Sequence, residues 1–526
     1  MSEQSKSVAK SISVLGIAGI LCKLIGVLFS IPLNMISSKV ATDFYIVYPT
    51  YTLLLTISSA GIPVAVSRMV AGFLAQKDRN NAKATFRIAL VTLFSIGFFF
   101  SVLMILCNSL LVRMVGVPEV SGGYYAIAPC VAIVCILSAF RGLIQGQQNM
   151  VPTAVSQLIE QVGKVILSLP LAYFGLKRSV AAGATGALLG ITLAEAAALI
   201  YMVIRYYVKK NEFEQLPQDP ANEPAERSFL LKRLVLISIP ITISACIIPF
   251  SQFIDSAMMI NRMQDSGLAF EAAHASYGIF TSVVIRLINI PTALALAISM
   301  SLVPAVSACR AVNDTEGVRR ETNTGLRYAF LIGFPCSVGM SLLSKQIVYF
   351  FYGRVSSFTP EKLQLAADLL TFSAMTVVLF TVVQATSSIL QGLRKQRIPM
   401  YTMIIGVAVK IALNYILIGT PGIDIHGGPY ASIACYSIVM LLNLFYVCRH
   451  AQMRFNFIDW VLRPGLAALV MGIAVWLLQH FLPIHPLLTV LEVLIGIAVF
   501  AAAAFATKAL TKDDIRSLMR RRRRKS

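Results

Sequence analysis

The chain has 526 residues, 57% of them apolar and 13% charged, about half the charged share of a soluble domain. With a mean hydropathy of +0.75, these figures exclude a soluble globular enzyme. They predict an all-α polytopic membrane protein, because apolar runs of about 20 residues are what cross a ~30 Å hydrocarbon layer as helices. The formal charge of +21 raises the question of nucleic acid, but the cations segregate by loop in the manner of a polytopic membrane protein, so no nucleic-acid partner is expected.

Fourteen spans are predicted, near 11–36, 44–70, 88–112, 122–144, 152–175, 181–206, 233–260, 274–304, 326–352, 363–390, 399–419, 427–448, 461–482 and 486–507. Lys6 and Lys10 before the first run imitate a secretory signal, but the run is long and lacks a small-x-small cleavage site, so it counts as a span. Placing the N-terminus inside puts 32 Lys and Arg on inner loops and tails against 7 on outer loops. The positive-inside rule then predicts that both termini are cytoplasmic. The terminal run Arg520, Arg521, Arg522, Arg523, Arg524 and Lys525 would face anionic lipid of the inner leaflet or remain a solvated tail.

An offset of 246 superposes Gln145-Gly146 on Gln391-Gly392 and Lys164 on Lys410. A weaker echo pairs GIPVAVSR (61–68) with LVPAVSACR (302–310). The predicted organisation is an N-lobe (1–208), a polar, proline-rich cytoplasmic linker (209–232), a C-lobe (233–449), two extra helices (450–508) and a basic tail (509–526). Six spans per repeat leave both copies in one orientation, so the lobes would be related by a pseudo-twofold axis along the membrane normal. GATGALLG (183–190) matches no phosphate-loop pattern, and its Gly186-x-x-x-Gly190 reads as close helix packing. The nine cysteines contain no CxxC pair, and neither a disulfide framework nor a metal site is expected.

The fifth span is amphipathic. At ~100° per residue, Thr153, Ser156, Gln157, Glu160, Gln161, Lys164 and Ser168 share one arc, with Leu158, Val162, Ile166 and Leu169 opposite. A charged stripe facing lipid costs about 2.5–3.5 kcal/mol per charge on insertion scales, so it must face protein or water. A Glu160–Lys164 i,i+4 ion pair packing two helices would account for it structurally. Lys23, Glu195, Arg286 and Lys410 also fall at middle depth, which leaves two surplus positive charges. At the position offset from Glu160 stands Gly406. A net cationic cavity suits an anionic, phosphate-bearing ligand, although each cation alone could instead snorkel or pair structurally. Arg68, Lys345, Asp255, Asp368 and Glu492 lie nearer span ends and read as interface anchors.

RGLIQGQQNMVPTAVSQLIEQVGKV (141–165), GIPVAVSRMVA (61–71) and SLVPAVSACRA (301–311) resemble the polysaccharide-exporting branch of the multidrug/oligosaccharidyl-lipid/polysaccharide (MOP) flippase superfamily. Within that branch the chain is most similar to the stage V sporulation protein B and lipid II flippase groups. The resemblance implies a two-lobed, fourteen-helix flippase of the bacterial cell membrane that moves a polyprenyl-diphosphate-linked saccharide outward by alternating access. It also implies a lipid-tail groove in the last two helices. The expected diphosphate contacts are Lys23, Lys164, Arg286 and Lys410, with Gln157 and Gln161 on phosphate or sugar, and Glu160 and Glu195 in coupling or ion pairing. Lys23 stands where the group more usually has arginine, and span 2 carries only Arg68 where that group is arginine-rich, so the saccharide need not be that of lipid II.

No organic cofactor is expected. An inside-negative potential of 100 mV favours outward transfer of each negative charge by about 2.3 kcal/mol, and Na+ or H+ coupling stays open. A cation-coupled multidrug antiporter would call for a carboxylate-dominated cavity, and a non-transporting scaffold for envelope assembly leaves no sequence mark. A saccharide-polymerising enzyme would need a sizeable outer loop, and no HExxH or nucleophile motif is present.

Overall fold

The computed structural model describes residues 21, 22, 25, 26 and 28–510. Lys23 and the terminal basic run therefore lie outside the described residues. Those residues are almost wholly helical, with one isolated β-bridge, Asp78 to Gln218. Twelve of the described helices are long and apolar enough to cross a membrane. Of the other two predicted spans, half of the first falls outside the described residues. The eighth is built in three pieces: Phe270–Gly278, a π-helical segment Ile279–Val284, and Ile285–Ala311 with Pro291 and Pro304 inside it.

Several boundaries differ from the expected ones, each for a local reason. The 44–70 run divides into Ser38–Ser59 and Ile62–Ala75. At the break, the Gly61 amide donates to Thr242 Oγ1 at 3.1 Å, and a Cβ there would lie 2.2 Å from the Ser238 carbonyl oxygen. Only glycine lets the two backbones approach that closely. The ninth span starts earlier than its apolar run, at Thr315, and is followed by a separate short helix, Ser344–Tyr352. Its charged first turns stay helical because a helix satisfies its own backbone groups on both sides of the headgroup boundary.

The chain divides into two compact units between Ser282 and Val283, inside the π-helical segment. In the first unit Ser38–Ser59 is the central element, with Val40, Phe44, Ile46 and Val47 fully buried. Val151–Leu176 and Val180–Val208 lie side by side along their length. A Cβ on Gly186 would fall 2.4 Å from the Leu171 carbonyl oxygen, and one on Gly190 2.4 Å from Ser168 Cα, so this pair packs backbone to backbone as GxxxG spacing requires.

The segment after Val208 is strapped to residues 76–83. The Asp219 amide donates to the Lys77 carbonyl at 2.9 Å, and the Ala225 amide to Asn81 Oδ1 at 2.8 Å. Asn222 Nδ2 donates to the Gln76 carbonyl at 3.0 Å, and Lys83 pairs with Glu214 at 3.1 Å.

In the second unit Leu302, Val306, Leu326, Phe330, Val382, Ile389 and Trp460 belong to one core cluster. Trp460 is fully buried and its indole N–H donates to Asn323 Oδ1 at 2.5 Å. The last two long helices, Arg463–Phe481 and Pro486–Ala506, pack on each other and on Thr315–Leu342. Met471 and Val475 sit against Val338 and Leu342 there, and Gln479 Nε2 donates to the Leu342 carbonyl at 2.8 Å.

The repeat is visible inside each unit. Gly146, near the end of Ser121–Gly146, would place a Cβ 2.7 Å from Val70 Cβ. Gly392, at the end of Met375–Gly392, would place one 2.8 Å from Val306 Cβ. Both copies thus use a helix-terminal glycine to seat a valine of the neighbouring helix.

Candidate functional site

The polar stripe of Val151–Leu176 turns inward. Thr153, Ser156, Lys164 and Ser168 are buried, while Val162 and Ile166 on the opposite face are exposed, as a helix with its apolar face to lipid requires. With Ser38–Ser59, Ile62–Ala75, Ser121–Gly146 and Val180–Val208, this helix encloses a cavity of about 380 Å³ within the first unit. Gln157, Glu160, Gln161, Lys164 and Glu195 all line it, joined by Arg141, Gln145, Tyr48, Tyr51, Ser59 and Ser138.

Glu160 takes Arg141 as an ion-pair partner, Nη2 to Oε2 at 3.0 Å, with the side chains 13% and 23% exposed. Arg141 Nε also donates to Ser156 Oγ at 3.0 Å, and that hydroxyl donates to the Thr153 carbonyl at 2.8 Å. Gln161 Nε2 donates to the other Glu160 oxygen at 3.2 Å. Arg141 lies about a turn before the end of the Ser121–Gly146 helix, and its guanidinium reaches into the cavity.

The Lys164 ammonium lies 4.7 Å from the Phe29 ring centroid, 5.5 Å from that of Phe44 and 4.7 Å from that of Tyr48. Phe44 and Tyr48 are stacked one turn apart on the central helix, 5.5 Å between centroids at 15°. A desolvated ammonium gains about 2 kcal/mol or more against an aromatic face, so three rings offset part of the cost of burying Lys164.

Glu195 is 4% exposed, its Oε2 has no hydrogen-bond partner, and it lines the same cavity as Glu160, Arg141 and Lys164. The buried Gln157 Oε1 is likewise without a partner. The cavity thus holds two cations, two carboxylates and unsatisfied polar oxygens among aromatic walls.

Arg286 and Lys410 belong to the second unit. Both are half-buried, on Ile285–Ala311 and on Arg397–Ile418. At Gly406 a Cβ would lie 2.4 Å from Val439 Cγ2 and 3.1 Å from the Cys435 carbonyl oxygen, so the position matching Glu160 is filled by a neighbouring helix. Asp255 and Glu492, read as interface anchors, are 9% and 1% exposed: each turns into the interior of its unit rather than toward the headgroups.

Sequence reasoning missed Arg141 and the aromatic box as cavity residues. Arg141 opens the RGLIQG motif and could have been found there. Phe29, Phe44 and Tyr48 carry no pattern that separates them from core aromatics.

Among known families, the polysaccharide biosynthesis protein family matches residues 8–309 and MatE matches residues 240–416. The lipid II flippase MurJ of Bacillus subtilis is 26% identical, over 91% of this chain and 89% of that protein. Stage V sporulation protein B of the same organism is 25% identical over 82% of each. Among solved structures, a lipid II flippase MurJ in an inward closed conformation superposes with a TM-score of 0.70 at 14% identity, covering 93% of this chain and 97% of that one. An inward-facing MATE family multidrug resistance transporter of the MOP superfamily gives 0.69 at 14%, covering 85% and 100%. These likenesses are to transporters and flippases rather than to enzymes.

Proposed function

We propose that this chain, which belongs to the polysaccharide biosynthesis protein family of the MOP superfamily, is a flippase that carries a polyprenyl-diphosphate-linked saccharide across the bacterial cell membrane. The observation that carries the reading is the charged cavity inside the first unit, where Arg141 and Lys164 stand beside Gln157 and Gln161. Charge-assisted bonds from Arg and Lys are the strongest that phosphate oxygens accept, and carboxamides suit phosphate or sugar hydroxyls.

In the resting cavity Arg141 is held by Glu160 and Ser156, and Lys164 lies against its three rings. A diphosphate entering the cavity competes with Glu160 for the guanidinium. Glu160 and Glu195 are the groups we assign to a coupling cation, because protonating either one frees positive charge for the anionic substrate. Lys23, Arg286 and Lys410 are further candidate contacts. Both termini and the basic run Arg520–Lys525 are assigned to the cytoplasmic side, where 32 of the Lys and Arg residues would lie.

A second reading, a cation-coupled multidrug antiporter, is favoured by the same two carboxylates together with the MatE match. Reconstitution into liposomes with labelled undecaprenyl-diphosphate saccharides tests the first reading. Leaflet exchange should be fast in wild type and slowed at least tenfold by Lys164→Ala and by Arg141→Gln. Equal exchange in wild type and both variants would remove the cavity from the mechanism. Absence of exchange for every saccharide tried, with ethidium resistance conferred on a pump-deficient host, would establish the antiporter instead. Absence of both would favour a non-transporting scaffold.

A further inference from the structure

A second polar cleft lies in the first unit, apart from the transport cavity. It forms where the Ser121–Gly146 helix ends, Val151–Leu176 begins and Val180–Val208 runs into the short helix Lys210–Glu214. Gln147, Asn149, Arg205, Tyr206, Lys209 and Lys210 line it. It is narrow, about 30 Å³, an order of magnitude below the main cavity, a size that suits a small group such as a phosphate.

Three observations give the cleft its chemistry. Arg205 Nε is buried and has no hydrogen-bond partner, and a buried guanidinium N–H left without an acceptor calls for an explanation such as a bound anion. Three cations line the cleft; Lys209 is paired with Glu212 and Glu214 with Lys83, which leaves Arg205 and Lys210 to face an anion. The side chains beside it belong to a membrane boundary. Ile204, Tyr207 and Val208 are 54%, 65% and 63% exposed, while Tyr206 packs against Phe86 and Phe140 at 5.3 and 5.5 Å. An apolar wall open to lipid thus adjoins a cationic notch, on the face whose loops carry most of the Lys and Arg.

We propose that this cleft binds the phosphodiester of an anionic phospholipid headgroup, with Arg205 and Lys210 donating to the phosphate oxygens and the acyl chains lying along Ile204 and Val208. The ligand is a resident membrane lipid, distinct from transported cargo. It clamps the end of the 180–208 helix to the start of the 151–176 helix, the helix that carries the polar stripe. Basic pockets between membrane helices are established sites for such headgroups.

The test uses the full-length chain purified in detergent and titrated with phosphatidylglycerol or phosphatidylcholine, with bound lipid counted by native mass spectrometry. Wild type should hold one phosphatidylglycerol with at least tenfold preference over phosphatidylcholine. Arg205→Gln combined with Lys210→Gln should lose that preference, while Arg205→Lys keeps part of it. A full-length variant with Arg520–Arg524 and Lys525 replaced by serine should retain it, because the tail is a separate basic feature.

Equal retention of both lipids by wild type would overturn the proposal, a result that needs no variant to fold. So would unchanged preference in the double variant, or its loss with the neutral tail. Displacement of the lipid by millimolar inorganic phosphate would overturn the lipid as the ligand and leave a soluble phosphate in its place.

Discussion

Replacing Arg141 by methionine keeps most of the side-chain bulk and removes the charge. The substitution deletes the 3.0 Å pair with Glu160 and the 3.0 Å bond to Ser156, leaving the Glu160 carboxylate with Gln161. Removing one partner of a fully buried pair costs about 3–5 kcal/mol, and an exposed pair is worth about 0–1 kcal/mol. At 13% and 23% side-chain exposure the Arg141–Glu160 pair sits toward the buried end, so the expected loss is about 2–3 kcal/mol. At roughly 2 °C per kcal/mol for a large folding unit, the unfolding midpoint should fall by about 4–6 °C.

Glu160→Gln keeps an acceptor for Arg141 and should cost about 1 kcal/mol. In the double variant no charge is stranded, so its loss should be smaller than the sum of the two singles by about 1–2 kcal/mol. Scanning fluorimetry of the four proteins in one detergent measures the cycle. Strict additivity would refute the reasoning, because it would mean that water screens the two groups from each other inside the cavity.

Gly190→Ala should lower the midpoint by several degrees, since its Cβ meets Ser168 backbone at 2.4 Å, whereas Gly72→Ala, with nothing within 4 Å, should be neutral or slightly stabilising. Phe44→Leu and Tyr48→Leu should speed acylation of Lys164 by a small membrane-permeant amine-reactive reagent, read by peptide mass mapping, because the smaller side chains uncover the amine that the rings now pack against. For the strap, the Lys83 ammonium holds the Glu214 carboxyl below the usual glutamate range. A lowered folded pKa means that the contact contributes fully above the ordinary glutamate pKa and is lost as pH falls through the lowered value. Amide exchange at Asp219 and Ala225, scaled to the intrinsic rate at each pH, should therefore stay slow at neutral pH and quicken only in acid below that range. Lys83→Ala should quicken it already at neutral pH and flatten its acid dependence.

The part of this architecture legible in the sequence is the part written in a single period. Ser156, Gln157, Glu160, Gln161 and Lys164 recur every three or four residues, so their common face could be drawn before any coordinates. The break at Ala60–Gly61 could not, because hydropathy runs unbroken across it and its cause is a carbonyl on another helix, 177 residues downstream at Ser238. Arg141 was hidden for a related reason: it lies close to the end of its span, and depth alone does not show that a long side chain reaches back about a turn into the cavity. The Phe29, Phe44 and Tyr48 box depends on three separate helical positions converging on one ammonium. The strap was legible only as composition, polar and rich in proline, because its hydrogen bonds depend on the register of 217–225 against 76–81.

The contact at Gly406 bears on how two copies of one ancestral segment diverge. Gly406 and Glu160 occupy matching places, and in the second copy a glycine has allowed the adjacent helix to close to 2.4 Å from where a Cβ would stand. That closeness acts as a ratchet. An acidic side chain can be lost from an open position in a single substitution, but it cannot return to a closed one unless Val439 and the Cys435 backbone withdraw at the same time. The second half therefore cannot take up an acid at this position by one substitution, whereas the matching position in the first half holds Glu160 at an open cavity wall.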